Sequence, residues 1–348
     1  MNYLAKAAKY ALIKRKLAKR NPFFFSENNA NRRIFLFFVA AGTNMGDHAI
    51  VEAERKFIAN CVGDTATIVE ITTSQTESAI SWLKGKIRSD DLIVLSGGGY
   101  IGDEYIEIYK PLLRILKQFK ENKIVIFPQT IFFASKEREK RFCELVQKCS
   151  NIEIYVRELT SKEIFARHGI VTRLVPDIVL STVYSNHQAK RTDQILVCMR
   201  NDVERKISAN EFNIIVSEAQ SVGNVIITDT VESETFPLVE RESVLGKMLD
   251  RFASSKLVIT DRIHGMIFAY ITRTPCVVLG NYNHKVESEY EWISNCEYIT
   301  FIREVSPDNL QASIKEVLSS QKCSLLELDA HFGSLAGSLE EYYGKKSV

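Results

Sequence analysis

Short runs of β-branched and apolar residues recur along the chain at residues 34–40, 91–96, 124–127, 194–199, 257–260 and 276–279. Most are closed by a polar or glycine-rich turn and lead into a helix-like stretch. Runs this short and this uniformly apolar suit strands covered on both faces. A chain that alternates them with helices buries both element types by winding the helices over a parallel sheet. The pattern therefore predicts an α/β protein with doubly wound, Rossmann-like sheets.

At 348 residues the chain exceeds the size at which one core usually keeps growing, so two domains of roughly 150 residues are expected. The one sustained polar segment in its middle, Ser-Asn-His-Gln-Ala-Lys-Arg-Thr-Asp at 185–193, marks the linker. The expected division is a basic amphipathic extension over 1–33, an N-terminal α/β domain over 34–186, a C-terminal α/β domain over 194–330, and a tail or helix over 331–348. The net charge of +2 conceals an asymmetry. Residues 1–33 carry nine Lys or Arg against Glu27, a local +8, which leaves −6 for the remainder. A nucleic-acid-binding body is disfavoured on that balance, because such affinity comes from neutralising phosphates.

In the extension, Tyr3, Ala7, Tyr10, Ile13 and Leu17 form one helical stripe and Lys6, Lys9, Lys16 and Arg20 another, with Phe23-Phe24-Phe25 following. This suits peripheral contact with an anionic membrane surface or packing of a weak apolar face on the body. No apolar stretch approaches the roughly 20 residues of a membrane span, and a signal peptide's apolar core and cleavage site are absent. The seven cysteines are scattered without a C-x-x-C pair or a neighbouring His. They read as free thiols in a reducing cytoplasm, with no metal site among them.

Chemistry concentrates at the run Leu257–Thr260, which breaks into Asp261-Arg262-Ile263-His264-Gly265. In open α/β sheets ligands sit at the carboxyl ends of strands, so Arg262 and His264 are the leading catalytic pair. Two glycine turns close other strands. Gly42-Thr43-Asn44-Met45-Gly46-Asp47-His48 lacks the Gly-Lys-Ser/Thr of a Walker loop and the third glycine of a dinucleotide fingerprint. Gly97-Gly98-Gly99 carries a backbone entropy cost that implies positive φ or a ligand's close approach. Asp47 and Asp103 could orient a ligand's hydroxyls or cap helices, and His48 at a helix start is expected to be structural.

Asn44-x-Gly46-Asp47, Gly97-Gly98-Gly99, Pro128-Gln129, Val156-Arg157-Glu158, Pro176-Asp177, Met199-Arg200 and Asp261-Arg262-x-His264-Gly265 occur in one order over roughly residues 34–290. The ordered set resembles the polysaccharide pyruvyl transferase family. One departure is Arg157-Glu158, where relatives often carry Arg-Asp. The resemblance implies a two-domain scaffold facing a cleft, like the GT-B glycosyltransferases. It also implies transfer of the enolpyruvyl unit of phosphoenolpyruvate onto two sugar hydroxyls, forming a pyruvate ketal.

On that basis Arg262, Arg200 and Arg157 are expected to bind the phosphate and carboxylate of phosphoenolpyruvate by paired hydrogen bonds. His264 would donate the proton to the vinyl carbon. Asn44, Gly46, Asp47, Gly97, Gly98, Gly99, Asp103, Gln129 and His284 are expected to line the acceptor side, for a saccharide that is free or lipid-linked. Glu158 or Asp177 could instead pair with Arg157. No cofactor or metal is expected, since arginines can neutralise the phosphate. The alternatives are a sugar-nucleotide glycosyltransferase, with Glu287 and Lys285 recruited for ribose and diphosphate, and a non-catalytic saccharide-binding protein.

Overall fold

The computed structural model describes residues 23, 25, 32–184, 190–201, 205–280, 285–320 and 325–343. The proposed N-terminal helix, most of the proposed linker and His284 lie outside them. The chain forms two compact units, each with its own parallel sheet.

The first unit comprises residues 1–41, 54–175 and 333–348. Its strands are β1 (Arg32–Val39), β2 (Ala66–Thr72), β3 (Leu92–Leu95), β4 (Gly98–Gly102), β5 (Lys123–Phe132), β6 (Asn151–Val156) and β7 (Arg173–Leu174). The sheet order is β2-β1-β3-β5-β6-β7, with β4 pairing β5. Around them lie α1 (Met45–Val62), which begins in the other unit, and α2 (Thr76–Leu83), α3 (Ile106–Gln118), α4 (Lys136–Val146) and α5 (Leu159–Arg167). β1, β3 and β5 are buried nearly throughout, as strands covered on both faces must be. Two described aromatics of the Phe23-Phe24-Phe25 cluster pack into this core. Phe23 and Phe25 meet Trp82 edge-on at 5.5 and 6.2 Å between ring centroids.

The second unit comprises residues 42–53 and 176–332. Its strands β8 (Gln194–Cys198), β9 (Asn224–Thr228), β10 (Leu257–Thr260), β11 (Cys276–Leu279) and β12 (Ile299–Ile302) take the order β12-β11-β10-β8-β9. Its helices are α6 (Ala209–Gln220), α7 (Arg241–Ala253), α8 (Ile263–Ile271), α9 (Lys285–Tyr290) and α10 (Pro307–Ser319). Its apolar core gathers β8, β10 and β11 with α6 and α10.

Two segments depart from the linear division. Residues 42–53 group with the second unit because Met45 N donates to Thr230 O (2.8 Å) and Glu232 N to Thr43 O (2.8 Å). The last helix, α11 (Asp329–Tyr343), returns to the first unit. There Tyr155 Oη donates to Ser334 O and Tyr343 Oη to Arg33 O. The glycine triplet also differs from a plain turn. From Gly98 onward it becomes β4, with Gly98 opposite Gln129. Among the described residues no helix is long and apolar enough to cross a membrane, and the six described cysteines are buried and free.

Candidate functional site

In the second unit the chain passes from β8 outward to β9, then crosses β8 to β10 and continues outward through β11 and β12. The strand order therefore reverses between β8 and β10, and that reversal is where open α/β sheets bind ligands. Arg200 follows β8, and Asp261 and Arg262 follow β10. The two strand ends are tied together, since Arg200 N donates to Asp261 Oδ1 at 2.8 Å. Burial raises the Asp261 carboxyl above its usual range, and the hydrogen bond from Arg200 N opposes that rise.

Arg262 is the N-cap of α8, a helix with no side-chain cap hydrogen bond. Its N–H instead donates to Thr260 Oγ1 at 3.0 Å, and Thr260 Oγ1 donates to Cys198 O at 2.7 Å. Gly265 is required by the same turn. A Cβ there would stand 3.1 Å from Thr260 Cβ and closer still to Oγ1. The Arg262 side chain reaches past the end of β8 to Asp229, just beyond β9. Nε donates to Oδ1 at 2.8 Å and Nη2 to Oδ2 at 2.6 Å. Asp229 was not singled out in the sequence, although an acidic residue closing Asn224–Thr228 marks the next strand end.

His264 lies in the first turn of α8, with its side chain 12% exposed, and its Nε2 stands 3.7 Å from Asp177 Oδ2. The first turn of α1 comes in from the Nδ1 side. A Cβ on Gly46 would fall 2.5 Å from His264 Cγ and closer to Nδ1. Gly46 is thus the opening that admits the imidazole. Asn44 caps this turn: its Oδ1 accepts from Gly46 N (3.0 Å) and its Nδ2 donates to Asp47 Oδ2 (3.0 Å). His48 is buried, with Nε2 2.9 Å from Gly42 O and its ring 4.7 Å from that of Phe236, a structural placement. The second unit therefore brings together Asn44, Gly46, Asp47, Arg200, Arg262 and His264.

The remaining candidates belong to the first unit, whose sheet reverses between β1 and β3. Gly97 N donates to Glu54 Oε1 at 2.5 Å and Ser96 Oγ to Glu54 Oε2 at 2.8 Å, with Glu54 fully buried. Gln129 Nε2 and Tyr100 Oη both donate to Ser96 O, at 2.5 and 2.6 Å. Burial, and then Glu54, push the Tyr100 phenol well above its usual pKa. Gly98 takes φ +116° and Phe38 φ +64°, the left-handed region that a bulky residue occupies only under strain. Gly99 is exposed and lies over Arg157, whose Nε donates to Thr130 Oγ1 at 2.9 Å.

Glu158 caps α5 through Ser161 N at 3.0 Å, and Asp177 accepts from Val179 N at 2.9 Å. Asp103 accepts from Ala134 N and Ser135 N at 2.8 and 2.9 Å, so both its oxygens serve the entry to α4. Glu287, which a nucleotide-ribose site would need, is paired with Arg303.

A model of the family described as polysaccharide pyruvyl transferase matches residues 44–284. The chain belongs to the polysaccharide pyruvyl transferase family. General stress protein 30 of Bacillus subtilis is 33% identical over 304 residues, 84% of this chain and 87% of the relative. Pyruvyl transferase 1 of Schizosaccharomyces pombe is 24% identical over 275 residues, 73% of this chain and 68% of the relative. Among solved structures, a functionally uncharacterised Klebsiella pneumoniae protein superposes with a TM-score of 0.55 at 16% identity, covering 87% of this chain and all of the other. That likeness speaks to the fold alone, and each unit carries a parallel, Rossmann-like α/β sheet. The family match identifies the chain as an enzyme, a transferase of polysaccharide biosynthesis.

Proposed function

We propose that this transferase uses phosphoenolpyruvate as donor and closes a pyruvate ketal on two hydroxyls of a saccharide, with the donor bound at the β8/β10 strand ends. The observation that carries the donor assignment is the placement of two guanidinium side chains, Arg200 and Arg262, at adjacent strand ends on either side of the sheet reversal. The N-terminus of α8, without a side-chain cap, lies beside them. Phosphate and carboxylate are the two groups that such a set recognises, through paired charge-assisted hydrogen bonds and the amides of a helix N-terminus.

His264, on the same helix turn as Arg262, transfers its proton to the methylene carbon of the enol phosphate. The cation that forms at the adjacent carbon carries the phosphate, and one sugar hydroxyl adds there, releasing its proton. The second hydroxyl then displaces phosphate and closes the ring. The balance is one phosphoenolpyruvate and one diol giving one ketal and one phosphate. In this reading Arg262 stabilises phosphate as it departs, and Asp229 holds the guanidinium in place.

Arg157, whose Nε is turned to Thr130, is given no donor role. No step calls for a metal, so turnover is expected to persist in a chelator; loss reversed by a divalent ion would revise the scheme. The test is to offer phosphoenolpyruvate with a panel of β-linked galactosides and lipid-linked saccharides. Acceptor-dependent phosphate release together with a new ketal methyl resonance is expected. Nucleotide release from a sugar-nucleotide donor, without either signal, would replace this reading by glycosyl transfer.

A further inference from the structure

Two buried carboxylates of the second unit have no part in the scheme above. Asp177 and Glu289 are each 1% exposed. Asp177 opens the 3-10 turn Ile178–Ser181, where its Oδ1 accepts from Val179 N at 2.9 Å. Its own N–H donates to Glu289 Oε1 at 2.9 Å, from α9. The turn is therefore fixed at the carboxylate and at the backbone, and Asp177 Oδ2 stands 3.7 Å from His264 Nε2.

Capping a turn does not require a charge, because serine or asparagine serves as well. Burying a carboxylate costs several kcal/mol unless a partner offsets it. A buried carboxylate whose second oxygen stands 3.7 Å from the Nε2 of an imidazole is placed to act on that imidazole. The 3.7 Å separation is longer than a hydrogen bond, and such contacts tighten in complexes with substrate.

We propose that Asp177 is a positioning residue for His264. Its Oδ2 holds the proton on Nε2, which leaves Nδ1, on the Gly46 side, as the nitrogen that exchanges a proton with substrate. Glu289 keeps Asp177 in register. The transfer step rests on the donor reading given above; the tautomer does not. When His264 gives up its proton from Nδ1, the neutral ring that remains is the Nε2–H form that Asp177 stabilises. The absence of a side chain at Gly46 then serves the reacting nitrogen.

The experiment is 15N NMR of the His264 ring in the full chain without ligand, at alkaline pH where the ring is neutral, combined with steady-state kinetics. Wild type should show the Nε2–H tautomer. Asp177→Asn keeps the turn-capping oxygen but turns an amide N–H toward Nε2, so the ring should switch to Nδ1–H. In parallel kcat should fall by about 10²- to 10⁴-fold, in the manner of a wrong-tautomer variant, with KM for phosphoenolpyruvate changed by less than about threefold. Asp177→Ser keeps a cap without the carboxylate and should stay impaired in kcat.

An Nδ1–H ring in wild type, an unchanged tautomer in Asp177→Asn, or wild-type kcat in Asp177→Ser would each overturn the proposal. Should Asp177→Asn fail to fold, the wild-type tautomer decides by itself. An enzyme that shows the Nε2–H ring but releases no phosphate from phosphoenolpyruvate with any acceptor would refute the donor reading and leave the Asp177 contact standing.

Discussion

The two sheets end in reversals built on opposite plans. In the second unit the strand ends carry charge: Asp229, Arg200, Asp261 and Arg262 line three neighbouring strands, with His264 behind them. In the first unit the equivalent strand ends carry backbone, with Gly97–Gly99 held from below by a buried Glu54 and flanked by the strained Phe38. The charged reversal can bind an anion and move a proton. The glycine reversal offers exposed main chain at Gly99, and the buried carboxylate of Glu54 holds the loop itself. The same topology thus carries charged side chains at one reversal and main chain at the other, and function follows the residues grafted on the fold.

Substitutions should separate the two plans. The largest effect is expected for His264→Ala, which should lower kcat by about 10²- to 10⁴-fold while phosphoenolpyruvate binding stays measurable by calorimetry. Turnover near wild type would remove His264 from the mechanism. Next is the contrast between Gly46→Ala and Gly98→Ala. The first drives a methyl group into the His264 ring, and displacing a reacting group by about 1 Å can cost 10²-fold in kcat. The second forces φ +116° on an alanine, which should cost about 1–3 kcal/mol of stability in chemical denaturation. If Gly46→Ala were destabilising but fully active, or Gly98→Ala stable but inactive, the comparison would fail.

Glu54→Gln is smaller again. It weakens a charge-assisted pair of hydrogen bonds at a buried site, for about 1–3 kcal/mol, and it should leave donor affinity untouched.

The smallest effect lies at the surface of the first unit, where His168 Nε2 meets Glu139 at 2.9 Å. Burial pushes Glu139 up, but hydrogen bonds from His168 and Lys136 outweigh it and the net pKa is lowered. A depressed carboxyl contributes stability that is present above its unfolded pKa and lost as pH falls through the folded value. His168→Ala should therefore cost on the order of 0.5–1 kcal/mol at neutral pH, and the difference from wild type should close in acid. A gap that widened in acid would contradict that sign.

The alternation of apolar runs and helices made the parallel α/β class legible, and the Asp-Arg-x-His-Gly break marked a strand end beside the sheet reversal. Each depends on local order along the chain, which sequence periodicity records. What stayed hidden depends on contacts between residues far apart in sequence. Asp229 reaches Arg262 only because β9 and β10 flank β8. Gly46 takes its meaning from a histidine more than two hundred residues away. Glu289 carries no local signal, since a glutamate in a short polar helix reads as a solvated face. Asp103 shows the converse: it stood beside a promising glycine turn, yet its oxygens are committed to the start of α4.

The central claim is that the charged reversal of the second unit is the donor site. Titrating phosphoenolpyruvate into wild type and into the Arg262→Ala and Arg157→Ala variants by calorimetry tests it directly. Measurable binding in wild type and in Arg157→Ala, with at least about tenfold weakening in Arg262→Ala, is the predicted result. Wild-type affinity in Arg262→Ala, or loss confined to Arg157→Ala, would contradict it.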